Sequence, residues 1–120
     1  MRSLIVDDNE AFLEAATVLL EREGIAVVGV ALTGADALGQ AKALRPDVVL
    51  VDIWLREESG IQLGQRLVHD LGDDAAVVLI STRSEEEVAD LIATSPVAGF
   101  LSKAELSAAA IRRVVDGRAR

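Results

Sequence analysis

Four apolar runs in this 120-residue chain end on, or are followed at once by, a residue with a chemically useful head group. "SLIV" (3–6) leads into Asp7 and Asp8, "VVLV" (48–51) into Asp52, "AVVLI" (76–80) into Ser81, and "AGFLS" (98–102) into Lys103. Carboxylates gathered within about 4 Å repel by several kcal/mol even at an effective dielectric of about 20, so such a cluster must be protonated, spread apart or neutralised by a cation. Oxygen-only ligands favour Mg2+ over zinc, and magnesium typically takes one or two carboxylates plus phosphate oxygens. A hydroxyl and an ammonium are the groups a phosphoryl oxygen would want beside it. Singly, each residue has an ordinary explanation: a lone lysine is usually solvated, and a lone serine at a strand end usually caps a helix or turn.

What gives the set meaning is the elements that must carry it. Short apolar runs alternate with amphipathic helical stretches along the whole length, with no internal repeat and no low-complexity segment. The first helix is expected to start at the cap Asn9, to turn Phe12, Ala16, Leu19 and Leu20 inward and to stop at Gly24. A second strand at 27–31 is followed by a helix from Thr33 to Leu44, closed by Pro46. After the third strand (48–52) come the polar loop "REESG" and a helix with Ile61, Gly64, Val68 and Leu71 on one face. The fourth strand (76–81) precedes a helix opened by the capping box Ser84 and Glu87 and ended before Pro96. The fifth strand (98–102) leads into "ELSAAAIRRVV", where Leu106, Ala110 and Val114 share a face.

Five βα units with near-continuous apolar strands predict an α/β fold: a doubly wound five-stranded parallel sheet, a (βα)5 flavodoxin-like sandwich with strand order 2-1-3-4-5. Ligands in such sheets bind beyond the carboxyl ends of the strands, where the winding reverses, here between the first and third strands. Asp7, Asp8 and Asp52 fall at that place, with Ser81 and Lys103 at the neighbouring strand ends. Chance would scatter such groups over both ends of the sheet.

Composition bounds the rest. The length suits one domain over 1–120, with residues 116–120 read as the start of a linker. A formal net charge of -8 argues against direct binding of nucleic acid or an anionic membrane, both of which reward clustered Lys and Arg. The one basic cluster, "IRRVVDGRAR", reads as a solvated helix end. With no cysteine and one histidine, disulfides and zinc clusters have no ligands. No apolar stretch approaches the roughly 20 residues needed to span a bilayer, and acids follow the first apolar run too soon for a signal peptide, so a cytoplasmic protein is expected. His69, late in the third helix, and Asp73-Asp74, in the turn before the fourth strand, are read as solvated and outside the site.

Asp7-Asp8, Asp52, Ser81 and Lys103, with Phe100 three residues before the lysine, resemble the signature of response-regulator receiver domains of two-component signalling. The run "GFLSKAELSAAAIRRVVDG" further resembles receivers of the subfamily that carries a LuxR-type helix-turn-helix output domain. The resemblance implies that Asp52 is the phosphoacceptor nucleophile, taking a phosphoryl group from the phosphohistidine of a sensor histidine kinase. It further implies that Asp7, Asp8, Asp52 and the backbone carbonyl of Trp54 hold Mg2+, and that Lys103 pairs with a phosphoryl oxygen. Ser81 would bond another oxygen and Phe100 would follow it inward, changing the surface of the last two helices. A C-terminal DNA-binding output domain outside this chain and a homodimer through the fourth and fifth helices belong to the same expectation.

The chain departs from the family pattern at several places. Ala104 follows the lysine where proline is usual, Arg56 stands where proline is frequent, and Thr82 where a small residue is common. Trp54 and Arg83, each two residues beyond a site residue, are expected to lie over the site with Thr82, as a cation-π pair or separately, and to hinder water. Two other readings stay open on the sequence: a receiver-like docking module that works without phosphate, and a Mg2+-dependent phosphohydrolase. The complete polar set favours the phosphorylatable receiver over the first. The second, in its haloacid-dehalogenase form, places the nucleophile in a D-x-D motif after the first strand, whereas here that strand ends in adjacent acids.

Overall fold

The Val-, Leu- and Ile-rich runs are too short for helices and apolar on both faces, and they become five parallel strands of one sheet. These are β1 (Arg2–Val6), β2 (Ala26–Ala31), β3 (Val48–Asp52), β4 (Ala76–Ser81) and β5 (Gly99–Ser102). The structure is a computed structural model in which residues 1–117 are described. The strand order is β2-β1-β3-β4-β5, as expected, with every neighbouring pair parallel.

Strand alternation divides the core between two faces. Leu4, Val6, Val49, Val51, Val77 and Leu79 point to the face covered by α2 (Gly34–Leu44), α3 (Gly60–Leu71) and α4 (Glu85–Ile92). Ile5, Val48, Leu50, Val78 and Ile80 point to the face covered by α1 (Glu10–Arg22) and α5 (Ala108–Gly117). β1, β3 and β4 are therefore almost wholly buried, which makes the middle of the sheet a rigid mount for whatever stands at its ends.

The helices start where polar caps stop the extended chain. Asn9, Thr33, Ser59 and Ser84 each accept a hydrogen bond from the backbone N–H three residues on, and Ser84 with Glu87 completes the expected capping box. α2 ends at Arg45 in the left-handed conformation (φ 47°), ahead of Pro46.

Several expectations need correction. The inward face of α1 is Leu13, Ala16 and Leu20, with Phe12 and Leu19 only half-buried, because at 100° per residue the sheet meets the stripe through Leu13 rather than Phe12. On α3 the buried line is Leu63, Gly64 and Leu67, and Ile61, Val68 and Leu71 pack on its flanks. The segment read as a polar loop holds a small antiparallel ribbon, Trp54–Leu55 against Glu58–Ser59. The last helix begins only at Ala108, after a 3-10 turn at Lys103–Glu105, with the Ser107 hydroxyl accepting from Ala110 N. Asp116 and Gly117 are its last residues, and the remainder of the expected linker, 118–120, lies outside the described residues. Among the described residues no helix is long and apolar enough to cross a membrane.

Candidate functional site

Strand register brings the polar set to one rim. Val6 lies beside Val51, so Asp7 leaves β1 at the level at which Asp52 ends β3. Asp52 lies beside Ile80, and one residue further Ser81 pairs with Ser102, directly before Lys103. No loop has to reach across the molecule; the sheet aligns the groups.

Asp7, Asp8 and Asp52 present carboxylate oxygens that all lie within 4.8 Å of one another. Asp7 is fully buried and Asp52 nearly so, at 7% exposure. Asp7 Oδ1 accepts from Asn9 N at 2.9 Å, and Asp52 Oδ1 accepts from Trp54 N at 3.2 Å. The Lys103 ammonium lies 2.5 Å from Asp7 Oδ2 and 3.5 Å from Asp52 Oδ2. Its approach to Asp7 is Coulombic without a hydrogen-bonding angle, so Asp7 Oδ2 is a buried oxygen that accepts no hydrogen bond. Burial, and then the Asp7 charge, push the Asp52 carboxyl above the usual aspartate range, against the opposing pull of Lys103 and the Trp54 N–H.

These groups fit a hard divalent cation. The ligand set is all oxygen, its donor atoms lie close together, and one buried oxygen, Asp7 Oδ2, accepts no hydrogen bond.

The backbone around Asp52 is held by close approach. Gly60 N donates to Ile53 O at 2.9 Å, and a Cβ on Gly60 would overlap the Asp52 carbonyl oxygen. Glu58, in the ribbon, accepts from Gly34 N at 2.8 Å and so ties the ribbon to the start of α2. Trp54 is 53% exposed, at the mouth rather than in the floor. Thr82 and Arg83 are exposed too. The cation-π contact among the described residues is not the expected Arg83–Trp54 pair but Lys103 over Phe12, 4.2 Å from the ring centroid. Ser81 is fully buried, and its Oγ accepts from Arg83 N at 3.1 Å. Phe100 is 8% exposed and packed in the core beneath α3 and α4. The Lys103–Ala104 peptide is trans, and Ala104 N donates to Ser102 Oγ at 3.4 Å. His69 lies exposed in the last turn of α3, as expected.

Three residues of this neighbourhood escaped sequence reasoning. Phe12 reads from the sequence as core; the Asn9 cap is the clue, since it puts Phe12 in the first turn of α1, beside the strand ends. Arg56 stands out in the sequence only as a departure from the family pattern, yet its Nε lies 3.7 Å from Asp8 Oδ2. Gly60 carried no signal at all, since nothing local reports that its Cα abuts the Asp52 backbone.

Comparison with known proteins identifies the family. The profile of the response regulator receiver domain matches residues 3–115, and the chain belongs to that family. Among relatives, it is 31% identical to the response regulator GacA of Pseudomonas aeruginosa over 98% of this chain and 56% of that protein. It is likewise 31% identical to the transcriptional regulatory protein LiaR of Bacillus subtilis, over 98% of this chain and 57% of that one. The chain thus spans about half the length of the curated relatives it matches. The solved receiver domain of the response regulator NarL from Mycobacterium tuberculosis superposes with a TM-score of 0.80 at 31% identity, covering 98% and 95% of the two chains. A response regulator from Burkholderia pseudomallei, solved with a phosphorylated aspartic acid, a calcium ion and citrate, gives 0.79 at 28% identity, covering 95% and 65%.

Proposed function

We propose that this receiver is a phosphoacceptor and that Asp52 is its nucleophile. The observation that carries the reading is Asp52 itself, a buried strand-end carboxylate set against Asp7 and the Lys103 ammonium, on a rim shared with Asp8 and Ser81. A carboxylate oxygen of Asp52 bonds to phosphorus as the P–N bond of a kinase phosphohistidine breaks, leaving an acyl phosphate on Asp52 and returning imidazole to the kinase. Asp7, Asp8, Asp52 and the Trp54 carbonyl would hold Mg2+, which would supply the charge neutralisation that a phosphoryl dianion needs beside three acids.

Lys103 then moves its charge from Asp7 to a phosphoryl oxygen. Ser81 donates its hydroxyl proton to another; its oxygen already accepts from Arg83 N, which leaves the proton free to point at the site. That bond draws the loop after β4 inward and alters the surface of α4, β5 and α5 around Phe100. Trp54, Thr82 and Arg83 line the mouth and limit attack by water. The aspartyl phosphate and cation in the Burkholderia pseudomallei relative support this assignment. Relatives described as transcriptional regulators support an output through a DNA-binding domain outside this chain, with the kinase as the direct partner. Residence in the cytoplasm and pairing of two copies through α4 and α5 belong to the same reading.

The test follows Trp54 emission while Mg2+ and then beryllofluoride are added. A response to each in the wild type, with the beryllofluoride response lost in Asp52→Asn, is the expected result. An equal response in Asp52→Asn, or none in the wild type, would sink the assignment.

A further inference from the structure

A closed circuit of contacts surrounds the lysine. Asp7 Oδ1 accepts from Asn9 N, and Asn9 Oδ1 accepts from Phe12 N at 3.1 Å. The Phe12 ring lies under Lys103 Nζ, and Nζ returns to Asp7 Oδ2. The end of β1 and the first turn of α1, adjacent in the chain, thus meet the distant end of β5 at one ammonium. Lys103 is only 13% exposed there, so the ring faces a cation that has lost most of its water, the condition under which a cation-π contact is strongest.

The position after the lysine is Ala104, in a trans peptide opening a short 3-10 turn, and this turn is braced by two long hydrogen bonds, Ala104 N to Ser102 Oγ and Leu106 N to Lys103 O, both 3.4 Å. The turn alone does little to aim a long, flexible side chain. The carboxylates hold the ammonium on the Asp7 side, at 2.5 Å against 3.5 Å from Asp52, and neither carries it on to a phosphoryl oxygen. What remains is the ring face, an attraction without the angular demand of a hydrogen bond.

We propose that Phe12 is a positioning residue for the phosphoryl reaction: a slide on which the Lys103 ammonium passes from Asp7 to a phosphoryl oxygen without leaving the site. This rests on the assignment of Asp52 as phosphoacceptor. A ring serves the handover because Nζ can shift sideways over the π face and stay attracted throughout, whereas an anion or carbonyl in its place would hold it back. Phe12 is also suited to the part by position, since the half-buried first turn of α1 can carry a ring whose loss leaves Leu13, Ala16 and Leu20 packed.

The experiment compares Phe12→Leu and Phe12→Tyr with the wild type, measuring the rate of aspartyl phosphate formation from acetyl phosphate by intact mass, Mg2+ affinity by calorimetry, and melting temperature. Phe12→Leu is expected to lower the saturated rate about 3- to 30-fold, with Mg2+ affinity changed less than twofold, and Phe12→Tyr is expected to restore the rate. A Phe12→Leu rate equal to that of the wild type overturns the proposal. So does a slow Phe12→Tyr protein with a wild-type melting temperature, because an aromatic face would then be insufficient. A wild type that never gains phosphoryl mass fails the Asp52 assignment instead, and the two failures are thereby distinguished.

Discussion

β3 has an aspartate at each end, and the two do opposite things. Asp47, just before the strand, is exposed; its Oδ2 accepts from Arg2 N at 2.7 Å while its own N–H donates to Arg2 O at 2.8 Å. The Arg2 guanidinium in turn donates to the Leu44 and Arg45 carbonyls at 2.7 and 2.9 Å, closing the C-terminus of α2. Asp52, at the other end, is buried beside a second carboxylate and shares one ammonium with it. One residue type is a solvated staple at one end of the strand and a buried, charge-crowded group at the other. What separates them is what the sheet puts alongside: polar backbone and water at the first rim, like charge and apolar walls at the second.

The sharpest way to break this contrast is to neutralise each acid in turn. Asp52→Asn is expected to abolish phosphoryl uptake from acetyl phosphate by intact mass, whereas Asp47→Asn leaves it within about twofold, since Asp47 touches no residue of the site. Comparable loss in both would mean that the two ends are not functionally distinct.

Next in size is Gly60→Ala. The added methyl meets the Asp52 carbonyl and the Ile53 Cα, backbone that cannot rotate away, so about 1–3 kcal/mol of stability should be lost, read by urea unfolding. Gly39→Ala, where a Cβ meets nothing, should be neutral or stabilising by a few tenths to about 1 kcal/mol and serves as the control. Equal effects would show that the β3 end is not held by close approach.

The pH dependence has a definite sign. The Asp52 carboxyl titrates above its unfolded value in the metal-free fold, so its penalty is absent below the unfolded pKa of about 4 and grows as pH rises through the raised folded value. In EDTA, Asp52→Asn should therefore melt higher than the wild type near neutrality, with the gap closing towards pH 4. Mg2+ should narrow the gap at neutral pH by stabilising the wild type more than the variant. A gap that widens on acidification would reverse the assigned direction.

How far the sequence could foretell this follows from which forces act locally. Strand ends were legible because buried runs are continuous in the chain and parallel winding sends all their carboxyl ends to one rim, so Asp52, Ser81 and Lys103 followed from pattern alone. The Ser84–Glu87 box was legible because capping is a four-residue matter. Helix phase was not: Phe12 and Leu13 are both apolar, and only packing against the sheet decides that Leu13 goes in while Phe12 meets Lys103. The Trp54–Leu55 and Glu58–Ser59 ribbon was hidden for a similar reason. Its strands are too short to show a period, and its anchor, Glu58 on Gly34 N, lies 24 residues away.

At the staple end, Arg2→Ala removes the two bonds to the α2 carbonyls and should cost about 1 kcal/mol of stability, with phosphoryl uptake unchanged. A drop in uptake without a drop in stability would couple the two rims.

The smallest expected effect lies at the reactive rim. Arg56 is 81% exposed along its side chain and sits 3.7 Å from Asp8, a geometry that contributes little to stability. It nevertheless places a positive charge beside an acid of the proposed Mg2+ site. Arg56→Gln should therefore leave the melting temperature within about a degree while tightening Mg2+ binding a few-fold at low salt, and the gain should shrink as added salt screens the lost charge. The Arg2 staple offers the internal contrast, because removing that cation changes stability and leaves metal affinity alone. If Arg56→Gln instead weakens Mg2+ binding, the guanidinium is orienting Asp8 rather than competing for it, and this rim too would contain a staple.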